Sequence, residues 1–132
     1  MTRSFSQASF ALLALAASSC DLTDAGVVCT DNIVWGINAT VQDSLTGAPA
    51  ASGARLIARD GTYADTTTMP FGHEDPNRGT LFAAEERPGV YTVTVDKAGF
   101  LTWERSGIVV TMDEYDCHVV PVHLVARLRR SP

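Results

Sequence analysis

The sequence has little basic charge and almost no lysine. It contains 10 lysine and arginine residues against 15 aspartate and glutamate residues, and Lys97 is the only lysine. No basic stripe is present, which argues against a nucleic-acid partner and against electrostatic attraction to anionic lipid. The short basic cluster at residues 127–130 is interpreted as a solvated end rather than a binding site.

The N-terminal part also lacks an apolar run long enough to span a bilayer. Residues 10–17 are apolar but fall far short of the roughly 20 residues that a transmembrane helix needs. The run follows Arg3 and precedes Ser18, Ser19 and Cys20. An early positive charge, a short apolar run and small residues are typical of a secretory signal.

The order of these residues resembles a bacterial lipoprotein signal, which is cleaved before a cysteine that carries diacylglycerol on its sulfur. Ala17 stands where that family usually has leucine. The resemblance implies a signal peptide at residues 1–19, lipidation of Cys20 and a polar tether at residues 20–31. The protein would then be anchored to the membrane of a bacterial cell envelope, facing outside the cytoplasm. An ordinary secretory cut at Ala14–Leu15–Ala16 is the alternative.

Cysteine is scarce, and its count is odd. The three cysteines are Cys20, Cys29 and Cys117, and an odd count in an exported protein requires an explanation for the unpaired residue. Lipidation of Cys20 would leave an even pair, and an oxidising compartment favours a disulfide between Cys29 and Cys117. Two buried free thiols are the alternative. Neither cysteine has a second ligand at the short spacing of zinc sites.

Residues 32–130 lack a helical apolar stripe and instead alternate between apolar and polar side chains. In residues 33–42 every second side chain is apolar, which is typical of a strand with one buried face. Asp60–Gly61 is a strong hairpin signal, and Pro121 predicts a sheet edge or bulge because proline cannot donate to a ladder. Further strands are predicted at residues 54–58, 63–68, 80–84, 90–95, 108–111 and 119–128.

About seven short strands separated by turns predict an all-β protein with a single β-sandwich domain. Its core is predicted to contain Trp35, Ile37, Val41, Leu56, Tyr91, Val93, Val95, Val122 and Leu124.

Two stretches resemble carboxypeptidase regulatory-like domains. Residues 41–49, Val-Gln-Asp-Ser-Leu-Thr-Gly-Ala-Pro, resemble the first strand and turn of that family. Residues 89–100, Gly-Val-Tyr-Thr-Val-Thr-Val-Asp-Lys-Ala-Gly-Phe, resemble its Gly-x-Tyr strand followed by Gly-Phe. The resemblance implies a prealbumin-like Greek-key sandwich that serves as an accessory module without a catalytic centre. Residues 69–79 depart from the pattern, since the family often has a shorter connection there.

The sequence displays little that points to catalysis, a metal or a cofactor. Three potential ligands adjoin at His73, Glu74 and Asp75, but neighbouring residues of an extended chain point in opposite directions and rarely grip one metal. His118 and His123 are five residues apart, on opposite faces of a regular strand. No nucleophile elbow or calcium loop is present. We therefore expect no catalytic residues, no metal site and no cofactor.

Tryptophan offers one alternative to a purely structural role. An exposed indole can stack on a sugar ring, and Trp103, between Thr102 and Glu104, is the candidate ligand contact. Trp35 alternates with core residues and is expected to be buried. The sequence thus predicts a non-catalytic, lipid-anchored envelope protein with a structural or protein-binding domain. A carbohydrate-binding or enzyme-accessory module is the alternative, so the expected partners are the membrane and an envelope protein or glycan.

Overall fold

Seven strands account for the regular structure of the part of the chain that the structure describes. The structure is a computed structural model that describes residues 26–68 and 79–132. Cys20 and the triplet from His73 to Asp75, which carried sequence predictions, lie outside the described residues. The strands are β1 (Trp35–Asp43), β2 (Ala54–Asp60), β3 (Tyr63–Thr67), β4 (Thr80–Glu85), β5 (Gly89–Lys97), β6 (Trp103–Val110) and β7 (Val122–Leu128).

The strands form two sheets, of order β4-β1-β7 and β3-β2-β5-β6. Strand β1 is antiparallel to β4 and parallel to β7. Every neighbouring pair in the four-stranded sheet is antiparallel. Isolated bridges from Phe100 to Arg130 and from Met112 to Val119 join the segments that flank β6 and β7. The predicted all-β sandwich of about seven strands is confirmed.

The inward faces of both sheets form one core. Alternation along β5 buries Tyr91, Val93 and Val95 completely, and Val93 and Val95 lie opposite Ala58 and Leu56 of β2. A half-buried strand must place every second side chain on the core side, so the two-residue period in the sequence predicted the packing face. Seven of the nine predicted core residues are buried, namely Ile37, Val41, Leu56, Tyr91, Val93, Val95 and Leu124.

Trp35 and Val122 are only partly buried, so the prediction of a buried Trp35 is wrong. Gly36 and Ile37 are both buried, which interrupts the alternation and leaves Trp35 out of phase with the core. The indole instead packs on Phe82 at a ring distance of 6.3 Å. A Cβ atom on Gly36 would lie 2.7 Å from the Val110 side chain, so only glycine allows this close approach without a shift of Val110.

Strand β6 begins earlier than predicted, at Trp103 rather than Ile108. Its first half has an exposed run with few apolar residues, so its pattern did not indicate a strand. A register shift between Tyr91 and Val93 marks a bulge between β5 and β6. Pro121 lies immediately before β7, an edge strand, as predicted. The described residues include no helix that is long and apolar enough to cross a membrane.

Candidate functional site

A disulfide ties the N-terminal segment to the sandwich. Cys29 lies six residues before β1 and Cys117 five residues before β7, and they are bonded with a Cα–Cα distance of 5.3 Å. The predicted pairing is confirmed. It encloses a sequence separation of 88 residues. The preceding residues Val27 and Val28 are exposed, so the disulfide is where the N-terminal segment joins the folded body.

The partly buried carboxylate of Glu86 strengthens this junction. The Glu86 Oε1 atom accepts hydrogen bonds from the backbone N–H of Val34 at 2.8 Å and pairs with His118 Nδ1 at 2.7 Å. Its Oε2 atom accepts the backbone N–H of Val119 at 3.3 Å. The Glu86 N–H in turn donates to the Val34 carbonyl at 3.0 Å. One side chain therefore links the approach to β1 with the approach to β7.

The same contacts determine the charge state of Glu86. Burial acts to raise the pKa of its carboxyl, but hydrogen bonds from His118 and from the Val34 and Val119 N–H groups outweigh it. The net pKa is lowered from 4.5. The carboxylate is thus held ionised, as expected where several donors point at one anion.

His118 connects this carboxylate to the N-terminal segment. Its Nε2 atom lies 2.9 Å from Thr30 Oγ1, while its side chain is 19% exposed. The disulfide, Thr30, Glu86 and His118 together are called the clasp below. The acid–imidazole–hydroxyl order is that of a hydrolase triad, and here the three side chains link Thr30 of the N-terminal segment to the backbone before β1 and β7. This arrangement holds a segment in place.

The turn before Cys117 is shaped by another carboxylate. Asp113 accepts backbone hydrogen bonds from Cys117 at 2.9 Å, Tyr115 at 3.1 Å and His118 at 3.3 Å. The bond from the Cys117 N–H is the main cause that lowers the pKa of Asp113 from 3.8. An aspartate that caps its own turn in this way fixes the local backbone, and so it orients the disulfide partner.

Backbone strain is concentrated beside the clasp. Among the described residues, positive φ angles outside glycine occur at Ala84 (59°), Glu86 (45°) and Asp116 (55°). The Ala84 N–H is held by Asp65 Oδ2 at 2.8 Å. Such conformations disfavour side chains with a Cβ and persist where surrounding contacts enforce them. The local backbone is therefore strained to bring Glu86 and Cys117 to the N-terminal segment.

The opposite end of the sandwich carries a second group of polar residues, called the far pole. It comprises Arg55, Asp96, Lys97, Phe100, Arg129 and Arg130. Strand β1 runs for nine residues from the clasp to this end, a distance of about 26 Å at the usual rise of a strand. A shallow cavity of about 320 Å³ is lined there by Arg55, Asp96, Lys97 and Phe100, among others.

Two of the four far-pole cations lie near one aromatic ring. Lys97 Nζ lies 5.8 Å, and the Arg130 guanidinium carbon 5.5 Å, from the centre of the Phe100 ring. The Lys97 ammonium donates to the carbonyls of Ala50 and Ser52 at 2.9 and 2.6 Å. The lone lysine therefore secures the loop before β2.

A buried carboxylate sits beneath the Arg130 side chain. Asp43 accepts Arg130 Nε at 3.0 Å and Nη2 at 2.7 Å, and its side chain is 5% exposed against 64% for Arg130. Hydrogen bonds from the Leu45 N–H, then from Arg130, lower the pKa of Asp43 from 3.8 despite burial. The Arg130 guanidinium is thus paired with Asp43 within the protein, while most of the Arg130 side chain stays exposed to solvent.

The two tryptophans occupy different environments. Trp103, the predicted ligand contact, is half-buried, packs against the core and lies opposite Val95. Trp35 packs on Phe82 outside the main core. Asn38 of β1 lies opposite Phe82 of β4. Its buried side-chain oxygen has no hydrogen-bond partner among the described residues.

Sequence reasoning missed the residues that organise the clasp. Glu86 lies in a Glu-Glu-Arg run that looks like solvated charge, and nothing local marks it as the partner of Val34 and Val119. The role of Asp113 could have been predicted from the sequence, because an aspartate at the start of a turn often accepts backbone hydrogen bonds from that turn. His123 is exposed on β7 and does not join His118. The described residues contain no group of three or more side chains suited to a metal ion.

A scan against protein-family models and a search of curated proteins both found no match to this chain.

Proposed function

We propose that this chain is a lipid-anchored protein of a bacterial cell envelope, whose carboxypeptidase regulatory-like sandwich has a structural or protein-binding role without catalysis. The observation that carries the proposal is the clasp. It binds the segment that follows Cys20 directly to the folded body through Cys29 and Thr30. The nine-residue interval between Cys20 and Cys29 spans at most about 32 Å, so an anchor at Cys20 would hold the sandwich close to the membrane.

The state of the carboxylates supports a non-catalytic role. General acids and bases work best with a pKa near the operating pH, which for a carboxyl means a raised value. Glu86, Asp43, Asp96 and Asp113 are all shifted the other way, to lower pKa. Each accepts hydrogen bonds from turns or neighbouring strands. These groups stabilise the fold as anions at neutral pH.

The anchor is tested by replacing Cys20 with serine. We expect wild-type protein in the membrane fraction, with a diacylglycerol-modified Cys20 detectable by mass spectrometry of the N-terminal peptide. The Cys20→Ser variant should move to the soluble fraction, because acyl chains contribute about 0.8 kcal/mol per buried methylene. Cys29→Ser is the matched control, since it removes a cysteine but leaves the lipidation residue. A Cys20→Ser protein that fractionates with membranes as the wild type does would refute the anchor.

A carbohydrate-binding module is the second candidate function. The Trp35–Phe82 pair favours it, since both rings are only partly buried and an aromatic surface can stack on a sugar ring. Carbohydrate binding is measured by the quenching of tryptophan fluorescence on addition of soluble peptidoglycan fragments. Loss of quenching in Trp35→Phe but not in Trp103→Phe would assign binding to this surface, whereas no quenching in the wild type would exclude it for these fragments.

A further inference from the structure

The two ends of the sandwich have opposite charge. Six carboxylates lie in or beside the clasp, at Asp31, Glu85, Glu86, Asp113, Glu114 and Asp116. Arg87 follows Glu86 in the chain, but its guanidinium is already paired with Asp60 at 2.8 Å. The far pole has four cations and the two carboxylates of Asp96 and the adjoining Asp43. Among the described residues, an excess of positive charge is thus found at the far pole and an excess of negative charge around the clasp.

Some cations of the far pole remain accessible to a partner molecule. Arg129 is exposed and, among the described residues, its side chain makes no salt bridge or hydrogen bond. Its backbone is nevertheless fixed, because its carbonyl accepts the Leu101 N–H at 2.8 Å. Arg55 pairs with Asp96 at 3.0 Å but remains 54% exposed. The far pole therefore offers guanidinium groups on an ordered backbone.

Exposed aliphatic side chains lie beside these cations. Leu101 is 41% exposed and follows Phe100, while Leu45 is 82% exposed in the turn that Asp43 caps. The Ser44 N–H in that turn donates to the Leu128 carbonyl at 2.8 Å, which places the turn next to the end of β7. Exposed apolar side chains and cations thus lie at the same end of the sandwich.

We infer that the far pole is a docking surface for an acidic polypeptide segment of another envelope protein. This inference rests on the proposed function, because the clasp places the anchored segment at one end and so directs the far pole away from the membrane. Guanidinium groups bind carboxylates in bidentate geometry. Leu45 and Leu101 match apolar side chains, which a peptide carries and an acidic polysaccharide lacks. The Phe100 ring is partly buried and has cations 5.8 and 5.5 Å from its centre, which makes it a poor stacking surface for a sugar.

Binding is tested with the full-length protein in detergent and a fluorescently labelled peptide of alternating glutamate and leucine. We expect fluorescence anisotropy to show saturable binding that weakens as salt is added, since charge attraction between exposed groups is screened. Arg129→Glu should weaken binding on the order of tenfold, because it replaces attraction with repulsion at an exposed position. The matched control Arg59→Glu makes the same charge change on the outer face of β2 and should alter binding less than about twofold.

Four results would overturn the inference. They are the absence of peptide binding, an equal effect of both charge reversals, stronger binding to polygalacturonate or phosphatidylglycerol vesicles than to the peptide, and salt-sensitive self-association that competes with the peptide. Melting temperatures of both variants should equal that of the wild type, which separates a binding defect from unfolding. The result is independent of the Cys20→Ser fractionation, so failure of the docking surface and failure of the anchor are distinguishable.

Discussion

Removal of the Cys29–Cys117 disulfide should destabilise the sandwich without abolishing it. The bond encloses a sequence separation of 88 residues. In the chain-entropy model a loop of this length restricts the unfolded chain by about 4.6 kcal/mol at 25 °C. Part of this is offset, because the exposed segment near Val27 and Val28 also regains freedom in the folded state when the bond is absent.

We therefore expect the double variant Cys29→Ser/Cys117→Ser to lose about 2–4 kcal/mol of unfolding free energy. For a domain of this size that loss corresponds to a drop of about 10–25 °C in melting temperature. The fold itself should persist, because Glu86 still ties Val34 to Val119 without the disulfide.

The loss is measured by urea denaturation, with far-ultraviolet circular dichroism to check that strands are retained. Cys20→Ser is the matched control, since it removes a cysteine and keeps the disulfide. A loss below about 1 kcal/mol would refute the loop-closure reasoning. Two alkylatable thiols at Cys29 and Cys117 in protein isolated from the envelope would show that the bond is absent in the cell.

Three other outcomes are expected. Val93→Ala should lower the unfolding free energy by about 1–3 kcal/mol through lost burial and a residual cavity, since Val93 is fully buried; denaturation measures it, and an unchanged midpoint would contradict the core assignment. The Glu86 pKa is lowered from 4.5, so its ionised form stabilises the fold above that pH and the contribution is lost as pH falls through the lower folded value. Glu86→Gln should therefore be less stable at neutral pH and lose less stability on acidification below 4.5; parallel wild-type and variant curves there would refute this. The triple variant His73→Ala/Glu74→Ala/Asp75→Ala should leave the melting temperature nearly unchanged with or without zinc or calcium, and loss of a metal-dependent rise present in the wild type would reveal a site.

Local pattern was enough to predict most of the strands. The two-residue period of Tyr91, Val93 and Val95 identifies a strand and its buried face together, because backbone geometry alone sends alternate side chains to opposite sides. The same period gave a wrong prediction for Trp35, which is only partly buried. There Gly36 approaches Val110 closely and interrupts the alternation. That approach depends on a residue from another sheet and leaves no mark on the local sequence.

By itself, the sequence determined the all-β class and the approximate number of strands, since these follow from side-chain period and turn residues. It predicted the pairing of Cys29 with Cys117 only together with the lipoprotein resemblance, which sets Cys20 aside. Only the tertiary structure decided that Glu86 is the centre of the clasp and that Lys97, Phe100 and Arg130 share the far pole. Both groups join residues 30 or more positions apart. Their meeting depends on strand order and register, and a carboxylate that satisfies distant backbone N–H groups looks in the sequence like any solvated charge.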